Sequence, residues 1–562
     1  MLFIYFLVTL STSTYAQQLS KQDKQFVDSV MEANYKADEP GAVLLIAKNG
    51  QPIFRKAYGL ASVELNVCNK PEYVFRIGSM SKQFTAVCML QLAQEGKVNL
   101  QDDITKYLPS YNTHGRHIRI ENLLNHTCGI INYFDKKESW TKTKVDQPKE
   151  ELMNFFMNDS LAFEPGADWG YSNSGYMVAG LIIEKVAGMS LSEYLRQNIF
   201  GPLEMSHTYV MNYDNITANA VNGYEPSMNG KFQPARYISS TWVYAAGDIL
   251  SNVDDLLKWD NALYTEKILK KEWLETAWKP SVLSNGQTAN YGLGWSNNTF
   301  HGLQIIEHAG TINGFSSDGI RIPSKQLYMV ILSNKQVWTV PILSSIALRN
   351  AGQTLTKPSA TRIDKKMMEE YTGVYAIQHS FNANSHNSVE QTYQSYTVQD
   401  DTLFSQPPGY PKSPLLNISK DIFGIAESGL LYYNQFHRNE KGKIISVELY
   451  TEPIQTGPHE IQIKTDLELP KEKRAITLDA TKLEALKGKY SFGSGTALVT
   501  VEGNRIYVPT PGVEKEEIFA EDDTHFFSKT SDVRVEFIKD NNKVTKMIVS
   551  FRGANFEGKR IE

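Results

Sequence analysis

The chain has 562 residues, 41% hydrophobic and 21% charged, a globular composition long enough for two or three domains with buried cores. Its 57 basic and 62 acidic residues leave a net charge of −5 with no long Lys/Arg run, which argues against nucleic acid and for a small-molecule or peptide substrate. Cys68, Cys88 and Cys128 are too few for a disulfide framework and lack metal-ligand spacing, so no metal or organic cofactor is expected.

In chain order, Met1–Ala16 carries the apolar run LFIYFLVTL and ends in Thr14-Tyr15-Ala16, the small-residue pattern of signal-peptidase cleavage. A signal peptide over 1–16 and secretion across the inner membrane, to a periplasmic or extracellular location, are expected. The run lacks an early Lys or Arg and is too short for an anchor; no other segment reads as transmembrane. Phe26, Val30 and Ala33 predict a helix over 22–36, and residues 42–47 and 53–58 around Asn49-Gly50 predict a β-hairpin. From Ser79 to Glu95 the pattern is that of a mostly buried helix capped at Gly96. Strands are expected at 304–308, 319–322 and 328–332, and a helix at 340–350.

Around 353–366 the pattern dissolves into linker composition. Beyond it the chain alternates as half-buried strands do, as at Val533, Val535 and Phe537. It also repeats itself: Tyr-Thr-Gly-Val-Tyr at 371–375 echoes Leu-Lys-Gly-Lys-Tyr at 486–490, and 403–409 echoes 506–512. Two β modules, 367–465 and 482–562, are expected on either side of a linker at 466–481, the first with an insertion near HSFNANSHNS. The fold class is α+β over 17–352, a sheet with helices on it, followed by two all-β modules.

Three short motifs carry chemistry. In Ser79-Met-Ser-Lys82 the serine and lysine share one helical face, so the amine is in reach of the hydroxyl and serves as base if burial lowers its pKa. Ser139-Trp-Thr-Lys142 has the same spacing but sits in a charged segment with no apolar helix behind it. Tyr171-Ser-Asn173 stands at a Pro/Gly loop entering an apolar helix, unlike the same pattern at Tyr213 and Tyr432. A buried phenol beside a lysine ammonium is expected to lose its proton more readily, and Asn173 to donate to substrate or to Lys82. His308-Ala-Gly310-Thr311 ends a strand pattern, with Gly310 letting the backbone approach a ligand; His301-Gly302 has no such strand. Cys88 and Cys128 read as packing residues.

In this order, at intervals of 92 and 137 residues, the motifs resemble the serine β-lactamase-like family, in the branch of class C β-lactamases, D-alanyl-D-alanine carboxypeptidases, D-aminopeptidases and related esterases. Residues 75–82, 123–129, 165–176 and 245–259 resemble the same branch, and 486–562 looks like the lipocalin-like barrels that follow such domains. The resemblance implies a β-lactamase/transpeptidase-like catalytic domain over about 38–350. It implies Ser79 as nucleophile, Lys82 and Tyr171 as general base and acid, and Asn173 as orienting donor. The N–H groups of Ser79 and Thr311 would then form an oxyanion hole, with His308 and Gly310 beside the substrate. It further implies an esterase or D-amino-acid peptidase or amidase working through an acyl-enzyme. A class C-type β-lactamase and a non-turnover, penicillin sensor-like binder are the alternatives. Two positions depart from the pattern: His308 stands where many relatives carry lysine, and Cys128 where serine is usual. A neutral histidine offers one hydrogen bond where a lysine offers a charge, so weak carboxylate recognition is expected. The oligomeric state is left open.

Overall fold

The computed structural model describes residues 18–561 except 137, 228–230, 301, 354–360, 362, 381–392, 407–411, 428–429, 453–459, 470–474, 493–494, 511–512, 530–532, 542 and 552–553. The expected signal run, most of the expected linker at 353–366, His301 and most of the HSFNANSHNS stretch lie outside the described residues.

Helix α1 (Lys21–Asn34) starts where the Ser20 hydroxyl accepts from the Asp23 N–H, and it buries Val27 and Met31. The hairpin of β1 (Ala42–Lys48) and β2 (Gln51–Tyr58) turns at Asn49 and Gly50, with φ of 52° and 74°, the left-handed pair that a two-residue turn requires. The long helices α2 (Ser81–Gln94) and, beyond several short helices, α3 (Asn173–Ala187) lie further along the chain. Strands β3 (Ser296–Phe300), β4 (Leu303–Ile312), β5 (Phe315–Ile322) and β6 (Leu327–Ser333) join the hairpin, and α4 (Val340–Asn350) closes the domain. The antiparallel sheet runs β3-β4-β5-β6-β1-β2. Alternate residues of β1 enter opposite cores: Leu44 and Ile46 pack with α1 and α4, Val43 and Leu45 with α2. Cover on both faces explains why β1 is apolar from Ala42 to Ala47.

Two sequence expectations are corrected here. The α-helix does not begin at Ser79: Gly78 has φ 51°, residues Gly78–Met80 form a tight helical turn, and α2 starts at Ser81. Nor does His308 end a strand: β4 continues through Gly310 and Thr311, which pair with Ser317 and Ser316 of β5, and turns only after Ile312. Ala309 and Gly310 have weak strand preference; pairing with β5 overrides it.

Strands between Gly373 and Lys464 form one closed eight-stranded barrel, and those between Gly488 and Arg560 a second. The sequence repeat has a structural meaning. The Tyr375 hydroxyl donates to the Tyr371 carbonyl at 2.8 Å, and Tyr490 donates to the Leu486 carbonyl at 2.7 Å, the same bond at the entry of each barrel. Helical turns at Lys365–Met368 and Ala480–Glu484 start inside the two segments expected to be linkers. Among the described residues no helix is long and apolar enough to cross a membrane.

Candidate active site

A cavity of about 1130 Å³ contains Ser79 in its wall, together with Tyr171, Asn173, His308, Gly310 and Thr311. Lys82 lies beneath it, fully buried. Its Nζ is 3.1 Å from Ser79 Oγ, 2.8 Å from Asn173 Oδ1 and 2.8 Å from the Ala246 carbonyl. A backbone break at Tyr244, φ 31°, interrupts the helical stretch Ser240–Gly247, and the carbonyls of Ala245 and Ala246 accept from Thr85 and Lys82. Burial holds the Lys82 amine well below its usual pKa. A neutral amine has two hydrogens and one lone pair. Asn173 Oδ1 and the Ala246 carbonyl only accept, so they take the two hydrogens and leave the lone pair facing the Ser79 hydroxyl.

Tyr171 is placed against both groups, with Lys82 Nζ 4.7 Å from its ring centre. The sequence expectation that this phenol loses its proton more readily is overturned. Burial drives its pKa up, contact with Ser79 opposes the shift only partly, and the phenol keeps its proton. The role expected of Asn173 also changes: it accepts from Lys82, and its own amide donates to Asn132 Oδ1 at 3.1 Å.

Backbones meet on the other side of Ser79. A Cβ on Gly310 would lie 2.1 Å from the Ile77 carbonyl and 3.0 Å from Ser79 N, and one on Gly78 would lie 3.0 Å from Thr311 N. Glycine at both positions lets the Gly78–Ser79 and Gly310–Thr311 backbones pass close against each other. His308 is buried beside them. Its Nδ1 lies 2.6 Å from the Ala309 carbonyl, which only accepts, so Nδ1 carries the hydrogen and Nε2 accepts from the Tyr291 hydroxyl at 2.8 Å. Burial pushes the imidazole down to about 3, so it is neutral. The single hydrogen bond expected for a ligand is already used within the protein.

The sequence decoys separate in space. Ser139 is buried and donates to the Tyr133 carbonyl, while Lys142 Nζ sits 4.7 Å over the Phe155 ring. Burial pushes the Cys128 thiol up to about 11 and raises Cys88 further, so neither is a ready nucleophile. Four partners were missed: Asn132, Tyr291, the Ala246 carbonyl and His126. The His126 ring lies 4.2 Å from that of Tyr171, and its Nδ1 accepts from the Ser172 N–H. His126 and Ala246 fall within stretches quoted only for family resemblance. Asn132 and Tyr291 carry no sequence signal. Among the described residues no cluster of three or more His, Cys, Asp and Glu side chains could hold a metal.

A two-faced antiparallel sheet with a Ser-x-x-Lys turn against its β4 strand is the scaffold of acyl-enzyme serine hydrolases. The Beta-lactamase family profile matches residues 24–349, and the chain belongs to that family. Penicillin-binding protein 4* of Bacillus subtilis is 28% identical over 402 residues, covering 66% of this chain and 88% of that protein. The octameric penicillin-binding protein homologue of Pyrococcus abyssi superposes with a TM-score of 0.55 at 23% identity, over 79% of this chain and 99% of its own. The D-amino acid amidase of Ochrobactrum anthropi SV3 superposes with a TM-score of 0.50 at 23% identity, over 56% and 92% of the two chains.

Proposed function

We propose that the protein is an exported serine hydrolase that cleaves esters or amides of acyl groups without a recognised carboxylate, D-amino-acid amides included, through an acyl-enzyme on Ser79. The observation that carries this reading is the Lys82 amine, 3.1 Å from Ser79 Oγ and held by two fixed acceptors, so that once deprotonated it has its lone pair on the Ser79 hydroxyl. Lys82 takes the Ser79 proton as Oγ attacks the acyl carbon. Tyr171, still protonated, passes a proton to the leaving group and is restored from Lys82. The Ser79 and Thr311 amides hold the oxyanion, and water then releases the acyl group with Lys82 and Tyr171 acting again. Export rests on the N-terminal apolar run. The neutral, fully engaged His308 supports weak recognition of a free carboxylate, and with it slow or absent turnover of β-lactams.

A fluorophosphonate probe and p-nitrophenyl esters test the reading. Ser79→Ala abolishes labelling and turnover, and Ser139→Ala retains both. Lys82→Ala and Tyr171→Phe each lower turnover by about 100-fold or more. The rate rises with pH as Lys82 loses its proton, and the rise is complete well below the usual lysine value of 10.5. Labelling at Ser139 removes the assignment, and efficient nitrocefin hydrolysis replaces it with a β-lactamase. Labelling without turnover makes the protein a binder.

A further inference from the structure

The cavity wall holds a second group of polar side chains that the proposed chemistry does not use. Ser296 of β3 pairs with Glu307 of β4, and Ala309 of β4 pairs with Asp318 of β5. Side chains alternate along a strand, so Ser296, Asn298, Glu307 and Asp318 share one sheet face, the one opposite His308 and Gly310. Ser296, Asn298 and Glu307 line the same cavity as Ser79. Glu307 is 7% exposed, Asn298 2% and Asp318 0%.

These groups are acceptors without side-chain donors. Neither Asp318 carboxylate oxygen nor Asn298 Oδ1 has a side-chain partner, the Gly319 N–H being the one donor that acts on the Asp318 carboxyl among the described residues, and nothing described hydrogen-bonds or pairs with the Glu307 carboxyl. Arg236, a cation elsewhere on the cavity wall, pairs with Glu225 at 2.7 Å. Burial raises the Glu307 pKa, and burial with the Glu307 charge raises Asp318 well above the carboxylate range. Without a counter-charge the pair is driven toward its protonated form, and a cation entering the cavity would supply that counter-charge and restore an ionised carboxylate.

We propose that Glu307, backed by Asp318 and Asn298, is a subsite for a cationic arm of the substrate, a primary ammonium or a guanidinium. This rests on the serine-hydrolase reading and narrows its substrate class. Glu307 is three residues from Gly310, about 10 Å along the strand at ~3.4 Å per residue, and it points to the other sheet face, so an arm from the reacting carbonyl must also pass round the edge of β4 beyond Ser296. An α-ammonium is too close to the carbonyl to reach it. An amine at the end of a flexible chain of about eight atoms or more is needed, since about 10 Å is the least distance to be spanned.

The test compares p-nitrophenyl esters of ω-aminooctanoic and octanoic acid. In the wild-type protein kcat/KM favours the amine by about 10-fold or more, the range of a charge-assisted hydrogen bond. Glu307→Gln brings the ratio near one, and Asp318→Asn lowers it. A ratio near one in the wild type, or one unmoved by Glu307→Gln, overturns the subsite. Calorimetry on the Ser79→Ala protein separates this from the hydrolase reading. There, ω-aminooctanamide binds more tightly than octanamide, and the preference disappears on adding Glu307→Gln. Equal binding of the two amides overturns the subsite. Absent fluorophosphonate labelling of the wild type removes the hydrolase reading and leaves the binding result to decide the subsite.

Discussion

The two barrels share a ring of eight antiparallel strands and an entry tyrosine, yet they are filled differently. The first buries a polar network: Tyr396 donates to Asn434 at 2.9 Å, and Gln462 donates to Gln394 at 2.9 Å. The second is packed with Val499, Ile506, Phe526, Val535, Phe537 and Met547. Their places differ too. α4 packs against strand Leu430–Arg438 of the first barrel, and Ile461 of that barrel reaches the wall of the Ser79 cavity. The barrel beside the reacting centre adds a connected set of hydrogen bonds to an apolar cluster that includes Leu403, Phe423, Phe436 and Val447, whereas the interior of the second is chiefly apolar.

Three substitutions sharpen or break this contrast. Phe537→Ala empties the centre of the second barrel and costs about 3–5 kcal/mol, read by hydrogen exchange of its strands, with ester turnover unchanged. Altered turnover would join the second barrel to the site. Gln462→Leu strips a partner from Gln394 in the first barrel and costs about 1–3 kcal/mol in the same measurement. An unchanged first barrel would show that its network is ornamental. Ile461→Ala, half-buried, changes stability by about 0.5 kcal/mol or less. Of the three it alone shifts the kcat/KM ratio between long and short acyl esters, and an unmoved ratio would confine the first barrel to a structural part.

The sequence showed the site's motifs because Ser79, Lys82, Tyr171, Asn173, His308, Gly310 and Thr311 occur in short patterns with local meaning. Their partners come from elsewhere. Asn132 and Tyr291 sit in loops whose positions only the packed domain decides, and the Ala246 carbonyl is turned toward Lys82 by a backbone break that composition does not announce. The direction of the Tyr171 shift was misread for a related reason: the nearby lysine is visible in the sequence, while the depth of burial that outweighs it is not. Glu307 and Asp318 look like two ordinary charges until the β4–β5 register puts them on one face. In the fold, the apolar runs of β1 and α2 were legible. The extent of β4 was not, because Ala309 and Gly310 are strand residues only by virtue of their partner.

In each barrel the first strand pairs with the last, Tyr375 with Lys464 in one and Tyr490 with Arg560 in the other. A ring closed in this way presents no open strand edge, so it neither needs a neighbour to complete it nor offers one a template. A closed unit of this kind can be duplicated, lost or exchanged without leaving a raw strand edge to aggregate. The paired tyrosine bonds read as the trace of one such duplication, and the divergent interiors as what each copy became afterwards.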